Sequence, residues 1–393
     1  MIRKIPGGLT APVGFLCGSS SSGIKNPKAT RLDTALILSE VPCATAATFT
    51  TNLVKAAPVL ISMEHLNSSK IRGVVLNSGN ANACTGAPGK ADARSMAAAA
   101  AQATGLKKEE FLVCSTGRIG VPMPMDRIAK GIAKVTLDRE SSLRCAEAIM
   151  TSDTFAKEVS FSVKTAQGTF RIGGIAKGAG MIDPNMATML CVVTTDAAIP
   201  QPTLRKVLKA SVEHSFNRIT IDGDMSTNDT VILLANGASQ ITPPLDIFQK
   251  ALDLVNQTLA KMIVKDGEGV TKFVEIDLRG AASAKDARLA AEAIANSTLV
   301  KCAWAGGDPN WGRIMDAMGY CGARMVEEKT DIYYETLPVV KNGLVAKTPS
   351  AKVRAIAARH EFRIRIEMGL GKFSHIVWTT DLTEEYVRLN LGE

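Results

Sequence analysis

The segment Ala176-Lys177-Gly178-Ala179-Gly180-Met181-Ile182-Asp183-Pro184-Asn185-Met186-Ala187-Thr188 runs straight into the apolar stretch Met189-Leu190-Cys191-Val192-Val193. Glycine, proline and asparagine make the first part a loop, and the unbroken apolar stretch reads as a buried strand. A loop that strains the backbone just ahead of a strand-leading threonine suits a chain that cuts itself. The hydroxyl attacks the preceding carbonyl, the peptide shifts to an ester, and water releases a new N-terminus. The freed α-amine then serves as the general base of its own threonine, with no need of a Ser-His-Asp arrangement. Thr188 is the candidate nucleophile, and Ala187–Thr188 the candidate cleavage bond. Taken alone, Met-Ala-Thr would read as an ordinary β-branched residue opening a strand.

With 393 residues the chain has room for a large core and more than one lobe. Hydrophobic residues at 46% and charged residues at 21% match globular usage and argue against wholesale disorder. The excess of 46 Lys+Arg over 38 Asp+Glu is spread along the chain without basic blocks. That pattern suits a small acidic substrate better than a nucleic-acid groove. The eight cysteines form no CxxC pair and no Cys/His cluster, so reduced thiols, mostly buried, are expected rather than a disulfide frame or a metal site. No apolar stretch of signal-peptide or membrane-spanning type stands out, and the expected location is cytoplasmic.

Alternating or apolar runs predict strands at 34–38, 45–50, 72–76, 110–114, 189–194, 218–222, 231–236, 273–278, 363–367 and 375–378, with a hairpin over 158–176 around Gly168. Helical spacing marks 89–104, 128–135, 139–150, 201–214, 245–264 and 285–297, and a short last helix from Thr383. The mixture is α/β with several antiparallel-looking strands. Small-residue loops follow two of the strands, at Asn77–Gly86 and Ser115–Gly120. Asp308-Pro309-Asn310-Trp311-Gly312-Arg313 reads as a turn with an inward tryptophan. The scatter of the four histidines, at 65, 214, 360 and 375, argues against a histidine-dependent triad.

Six ordered motifs carry a resemblance that spans nearly the whole chain: Gly7–Phe15, Asn77–Gly86, Ser115–Gly120, Ser226-Thr227-Asn228-Asp229-Thr230, Asp266-Gly267-Glu268-Gly269 and Gly307–Arg313. Together with the segment from Lys177 to Leu190 they resemble the ornithine acetyltransferase / glutamate N-acetyltransferase family of arginine biosynthesis. The resemblance implies two central sheets covered by helices and a smaller C-terminal lobe. It implies cleavage into fragments 1–187 and 188–393, assembled two of each as a heterotetramer. It implies acetyl transfer from N2-acetylornithine to glutamate through an acetyl-threonine, with acetyl-CoA as an alternative donor, no bound cofactor and no metal.

The same resemblance assigns roles. Thr188 is the nucleophile. The Thr116 hydroxyl and the Gly117 N–H are the oxyanion pair. Thr151 (with Thr154 as the alternative), Lys177, Thr188, Glu268 and Asn390 bind substrate. A lysine beside the free α-amine would also favour its neutral form, because like charges disfavour protonation. Family chains carry a further Ser or Thr contact beyond Asn390, which this sequence lacks. Two rival functions share the motifs: an amidase or aminopeptidase that gives the acyl-enzyme to water, and a binding protein that only keeps the fold.

Overall fold

A computed structural model describes residues 1–68, 70–183 and 189–391. Thr188 and Ala187, the proposed nucleophile and its cleavage partner, lie outside the described residues. The chain divides into two compact units, residues 1–217 with 224–263, and residues 218–223 with 264–393.

The first unit contains two sheets. One has six strands, ordered Ile2–Ile5, Lys157–Thr165, Gly168–Lys177, Leu190–Thr195, Thr230–Ala235 and Ala44–Phe49. The other has four, ordered Phe15–Ser20, Thr34–Ser39, Gly73–Asn80 and Phe111–Arg118. Strand alternation decides what lies between them. Ile37, Val74, Leu76, Leu112 and Cys114 of the four-stranded sheet share one core with Ile175, Leu190, Val192, Ile232 and Leu234 of the six-stranded sheet. The intervening residues Leu36, Val75, Phe111 and Val113 pack instead with Met96, Ala97, Ala100, Ile128 and Ile132, from helices Gly86–Thr104 and Met125–Ala133. The alanine-rich face of the first helix permits that close approach. The exposed edge of Phe111–Arg118 is closed by helix Ala57–Ser68: the Ser62 hydroxyl accepts from Val113 N–H (2.8 Å) and donates to Val113 O (2.7 Å).

The second unit has one six-stranded sheet, ordered Leu344–Val345, Leu337–Lys341, Asp331–Tyr334, Glu361–Glu367, Phe273–Ala281 and Phe373–Thr380. Val274, Ile276 and Leu278 pack with Ala287, Ala291 and Ile294 of helix Ala284–Asn296 and with Trp304 of helix Thr298–Ala305. Two sequence expectations change here. Residues 218–222 form no strand: Ile219 makes one isolated bridge to Trp378, and Ile219, Thr220 and Ile221 are all buried, so the apolar alternation of the sequence marks no sheet face. Trp311 opens helix Trp311–Tyr320 rather than filling a turn. The Asn310 side chain caps that helix by accepting from Arg313 N–H at 3.3 Å, and Trp311, half-buried, packs against the core of this unit as the sequence suggested.

Candidate functional site

Strands Gly73–Asn80 and Phe111–Arg118 run parallel, with Ser78 opposite Thr116 and Gly79 opposite Gly117. The sequence suggested that Ser115-Thr116-Gly117 and Asn77 begin loops; instead both strands continue through them. Side-chain amides explain the extension. Asn228 Nδ2 donates to Ala81 O (2.7 Å) and Ser115 O (2.8 Å), tying the two strand ends together. Asn77 Nδ2 donates to Asn80 O (2.9 Å), and Ala81 N–H donates to Arg118 O (2.9 Å). Gly117 sits at φ +128°, and a Cβ there would fall 2.4 Å from the Gly79 carbonyl carbon. Only glycine fits, and its backbone stays open to close approach.

Lys177 ends strand Gly168–Lys177 and is paired in register with Leu190, two residues beyond Thr188. It is 1% exposed. Its Nζ donates to Thr151 Oγ1 (2.7 Å) and more weakly to Thr116 Oγ1 (3.5 Å). A Thr116 oxygen that accepts from an ammonium has its own hydrogen left for another acceptor. Thr151 is therefore the threonine of its motif that meets Lys177, and Thr154 is exposed. Thr116, Gly117, Thr151 and Lys177 thus gather within the first unit.

The strand after Thr188 is anchored by residues that the sequence left without roles. Met189 N–H donates to Asp229 Oδ1 at 2.9 Å, and Thr230 N–H donates to Met189 O at 3.2 Å. Asp229 is fully buried, and its Oδ2 has no hydrogen-bond partner among the described residues. Burial pushes this carboxyl well above the usual carboxylate range, opposed by the Met189 hydrogen bond. A carboxyl whose pKa is raised by folding costs stability as pH climbs above its unfolded value, because ionisation is suppressed only in the native state. Asp229→Asn should therefore flatten the fall in unfolding free energy above about pH 4, by up to roughly 1.4 kcal/mol per pH unit. Thermal unfolding of wild type and variant across a pH series checks it, and parallel curves would sink it.

Within the second unit, Asn390 Nδ2 donates to Glu268 Oε2 (3.0 Å) and to Tyr386 O (2.9 Å). The Thr383 hydroxyl donates to Gly269 O (2.6 Å), and the Tyr386 hydroxyl donates to Asp222 (3.2 Å). Gly269, at φ +65°, admits the last helix, Glu384–Leu389, because a Cβ would lie 2.5 Å from Tyr386 N. The preceding strand end is held by buried Lys301, whose Nζ donates to Thr380 O at 2.6 Å. Burial draws that ammonium down to about 7.

Cysteine is disfavoured as a rival nucleophile. Cys114, two residues before Thr116, is buried, and desolvation pushes its thiol up to about 12, so thiolate is scarce near neutrality. Five of the eight cysteines are buried. His375 is partly buried on its strand, and burial together with Arg218 and Arg288 lowers it to about 4, which leaves it a neutral sheet residue.

Facing sheets that bring a lysine-bonded threonine hydroxyl and an adjoining glycine beside the strand after Thr188 fit an acyl-transfer type of protein. The ArgJ family model matches residues 16–392, and the chain belongs to the ArgJ family. It is 45% identical over 398 residues to the arginine biosynthesis bifunctional protein ArgJ of Caldanaerobacter subterraneus subsp. tengcongensis, with 98% of each chain covered. It is 44% identical over 405 residues to the glutamate N-acetyltransferase of Methanocaldococcus jannaschii, with 99% of each covered. The crystal structure of arginine biosynthesis bifunctional protein ArgJ from Bacillus halodurans aligns at TM-score 0.50 and 37% identity. That alignment covers 51% of this chain and 98% of the crystallised one.

Proposed function

We propose that this protein is a glutamate N-acetyltransferase that moves acetyl from N2-acetyl-L-ornithine to L-glutamate through an acetyl-Thr188 ester. The convergence of Lys177 on Thr116 and Thr151, one strand pairing away from Leu190, carries the reading. The chain first cuts itself between Ala187 and Thr188, and fragments 1–187 and 188–393 remain associated, two of each. The freed Thr188 amine then takes the Oγ proton as Oγ bonds to the acetyl carbonyl carbon. The Thr116 hydroxyl and Gly117 N–H receive the charge that develops on oxygen. The C–N bond breaks, the departing ornithine amine takes back the proton, and the glutamate amine reverses the sequence. Glu268 and Asn390 bind the amino-acid head of the substrate, as the family resemblance implies. Acetyl-CoA is the alternative donor.

Acetylornithine alone should leave about 42 Da, one acetyl group, on fragment 188–393. Intact mass after rapid quenching reads this directly, and initial rates with both substrates should give parallel double-reciprocal lines. Intersecting lines with no trapped adduct would mean direct transfer. Free acetate in place of acetylglutamate would make the protein a hydrolase. A repeat with acetyl-CoA as the sole donor measures the alternative route.

A further inference from the structure

Glu268 and Asn390 meet through one hydrogen bond of 3.0 Å, made at the surface. Glu268 lies partly exposed in the loop between helix Leu245–Lys265 and strand Phe273–Ala281. Asn390 is the C-cap of helix Glu384–Leu389, and no residue of that helix is buried. An element with so little apolar burial opens easily unless polar groups tie it down.

One buried carboxylate joins the two segments. Asp381, 1% exposed, lies between strand Phe373–Thr380 and the last helix. Its Oδ1 accepts from Thr271 N–H (2.9 Å) and Lys272 N–H (3.0 Å), and its Oδ2 accepts from the Thr271 hydroxyl. Strands Phe273–Ala281 and Phe373–Thr380 are antiparallel, with Phe273 opposite Thr380. Asp381 follows that pair directly, so its side chain continues the join where the backbone ladder stops. Lys301, of helix Thr298–Ala305, brackets it from the other side. The Lys301 Nζ donates to Thr379 Oγ1 (3.1 Å), Thr380 O (2.6 Å) and Thr380 Oγ1 (3.1 Å), and the Lys301 carbonyl accepts from Leu382 N–H (3.3 Å).

The chain on both sides of Asp381 is thus fixed to a helix, and its carboxylate grips the backbone three residues after Glu268. Three charge-assisted bonds offset the desolvation of this carboxylate, and the Lys301 ammonium adds attraction. Such bonds are directional, so they set register as well as attachment. We propose that Asp381 is a positioning residue that sets the spacing of Glu268 and Asn390 for the amino-acid head of the substrate. Buried, it acts only through the loop and the helix, which the Thr383 hydroxyl and Gly269 O join a second time. Acetylornithine and glutamate share an α-carbon bearing nitrogen and carboxylate, so a slackened spacing weakens the hold on both.

This inference rests on the reading of Glu268 and Asn390 as head-binding groups, and its test separates the two. Transfer kinetics and thermal unfolding are measured for fully processed wild type, Asp381→Ala, Asp381→Asn, Asn390→Ala and the Asp381→Ala/Asn390→Ala double variant. Asp381→Ala should raise KM for acetylornithine and for glutamate by about tenfold, with kcat within about twofold, because the spacing serves ground and transition state alike. Asp381→Asn should recover most of the loss: its amide oxygen can accept both N–H groups, and its NH2 can donate to the Thr271 hydroxyl. Since both residues act through one site, the double variant should show a KM no higher than the worse single variant. Multiplying penalties, a fall in kcat at unchanged KM, or no recovery in Asp381→Asn overturns the positioning role. Should Asp381→Ala fail to fold, Thr271→Val, which deletes the hydroxyl bond alone, must still raise both KM values by about threefold, and unmoved values overturn the proposal. Wild-type KM values in Asn390→Ala and Glu268→Gln overturn the head-site reading, and this inference falls with it.

Discussion

Thr188→Ala should migrate as one unbroken 393-residue chain with no measurable acetyl transfer, whereas wild type should split into fragments 1–187 and 188–393. The effect is the largest expected because one hydroxyl is used twice. Without Oγ the Ala187–188 peptide cannot shift to an ester, and without that shift no α-amine is released to act as base. Nucleophile and base are lost together, so the fall in turnover should be on the order of 10⁶. Collapse of the fold is not the cause, because the anchors of the following strand lie elsewhere and Met189 is buried. Met189 is held by Asp229, and the strand from Leu190 is paired on both sides, none of which uses the Thr188 side chain. Unfolding of the variant should stay close to that of unprocessed wild type. Thr188→Ser, which keeps a hydroxyl, should still split. Cleavage of Thr188→Ala at the same bond would show that another group attacks.

Much of this was legible in the sequence because periodicity reports burial. The alternation in 273–278, 363–367 and 375–378 corresponds to strands Phe273–Ala281, Glu361–Glu367 and Phe373–Thr380, and the alanine-rich run to helix Gly86–Thr104. Lys177, Thr116 and Thr151 were found through motif order, and the structure gathers them. What stayed hidden depends on partners distant in sequence. Asp153 and Lys157, four residues apart, have the spacing of a surface ion pair, and nothing local reveals that both are buried. Asp229 and Asn228 lay inside a recognised motif, but their roles appear only once Asn228 reaches Ala81 and Ser115, and Asp229 reaches Met189. The same reach explains why Thr116 and Gly117 finish a strand instead of starting a loop. Residues 218–222 misled for the opposite reason: two buried isoleucines imitate strand alternation where only one bridge forms.

Thr116→Ala should cost about 10²–10³ in turnover, or about 3–4 kcal/mol, the usual penalty for deleting one oxyanion donor. The loss should fall on kcat more than on KM, since the bond strengthens only as charge develops on the acetyl oxygen. The geometry sharpens this expectation. Lys177 donates into Thr116 Oγ1, which directs the Thr116 hydrogen away from the lysine and strengthens it as a donor. In the variant Lys177 keeps Thr151 at 2.7 Å and Asp153 at 3.9 Å, so these contacts should stay in place while one donor disappears. Gly117 offers no equivalent test, because a Cβ 2.4 Å from the Gly79 backbone would part the two strands. Self-cleavage also passes through an oxyanion, so processing of Thr116→Ala should slow, and rates must be compared on protein shown by mass to be fully split. Thr116→Ser, which returns the hydroxyl, should recover most of the loss. A fully split Thr116→Ala with wild-type kcat and only a raised KM would reassign Thr116 to substrate binding, leaving the Gly117 N–H as the sole proposed donor.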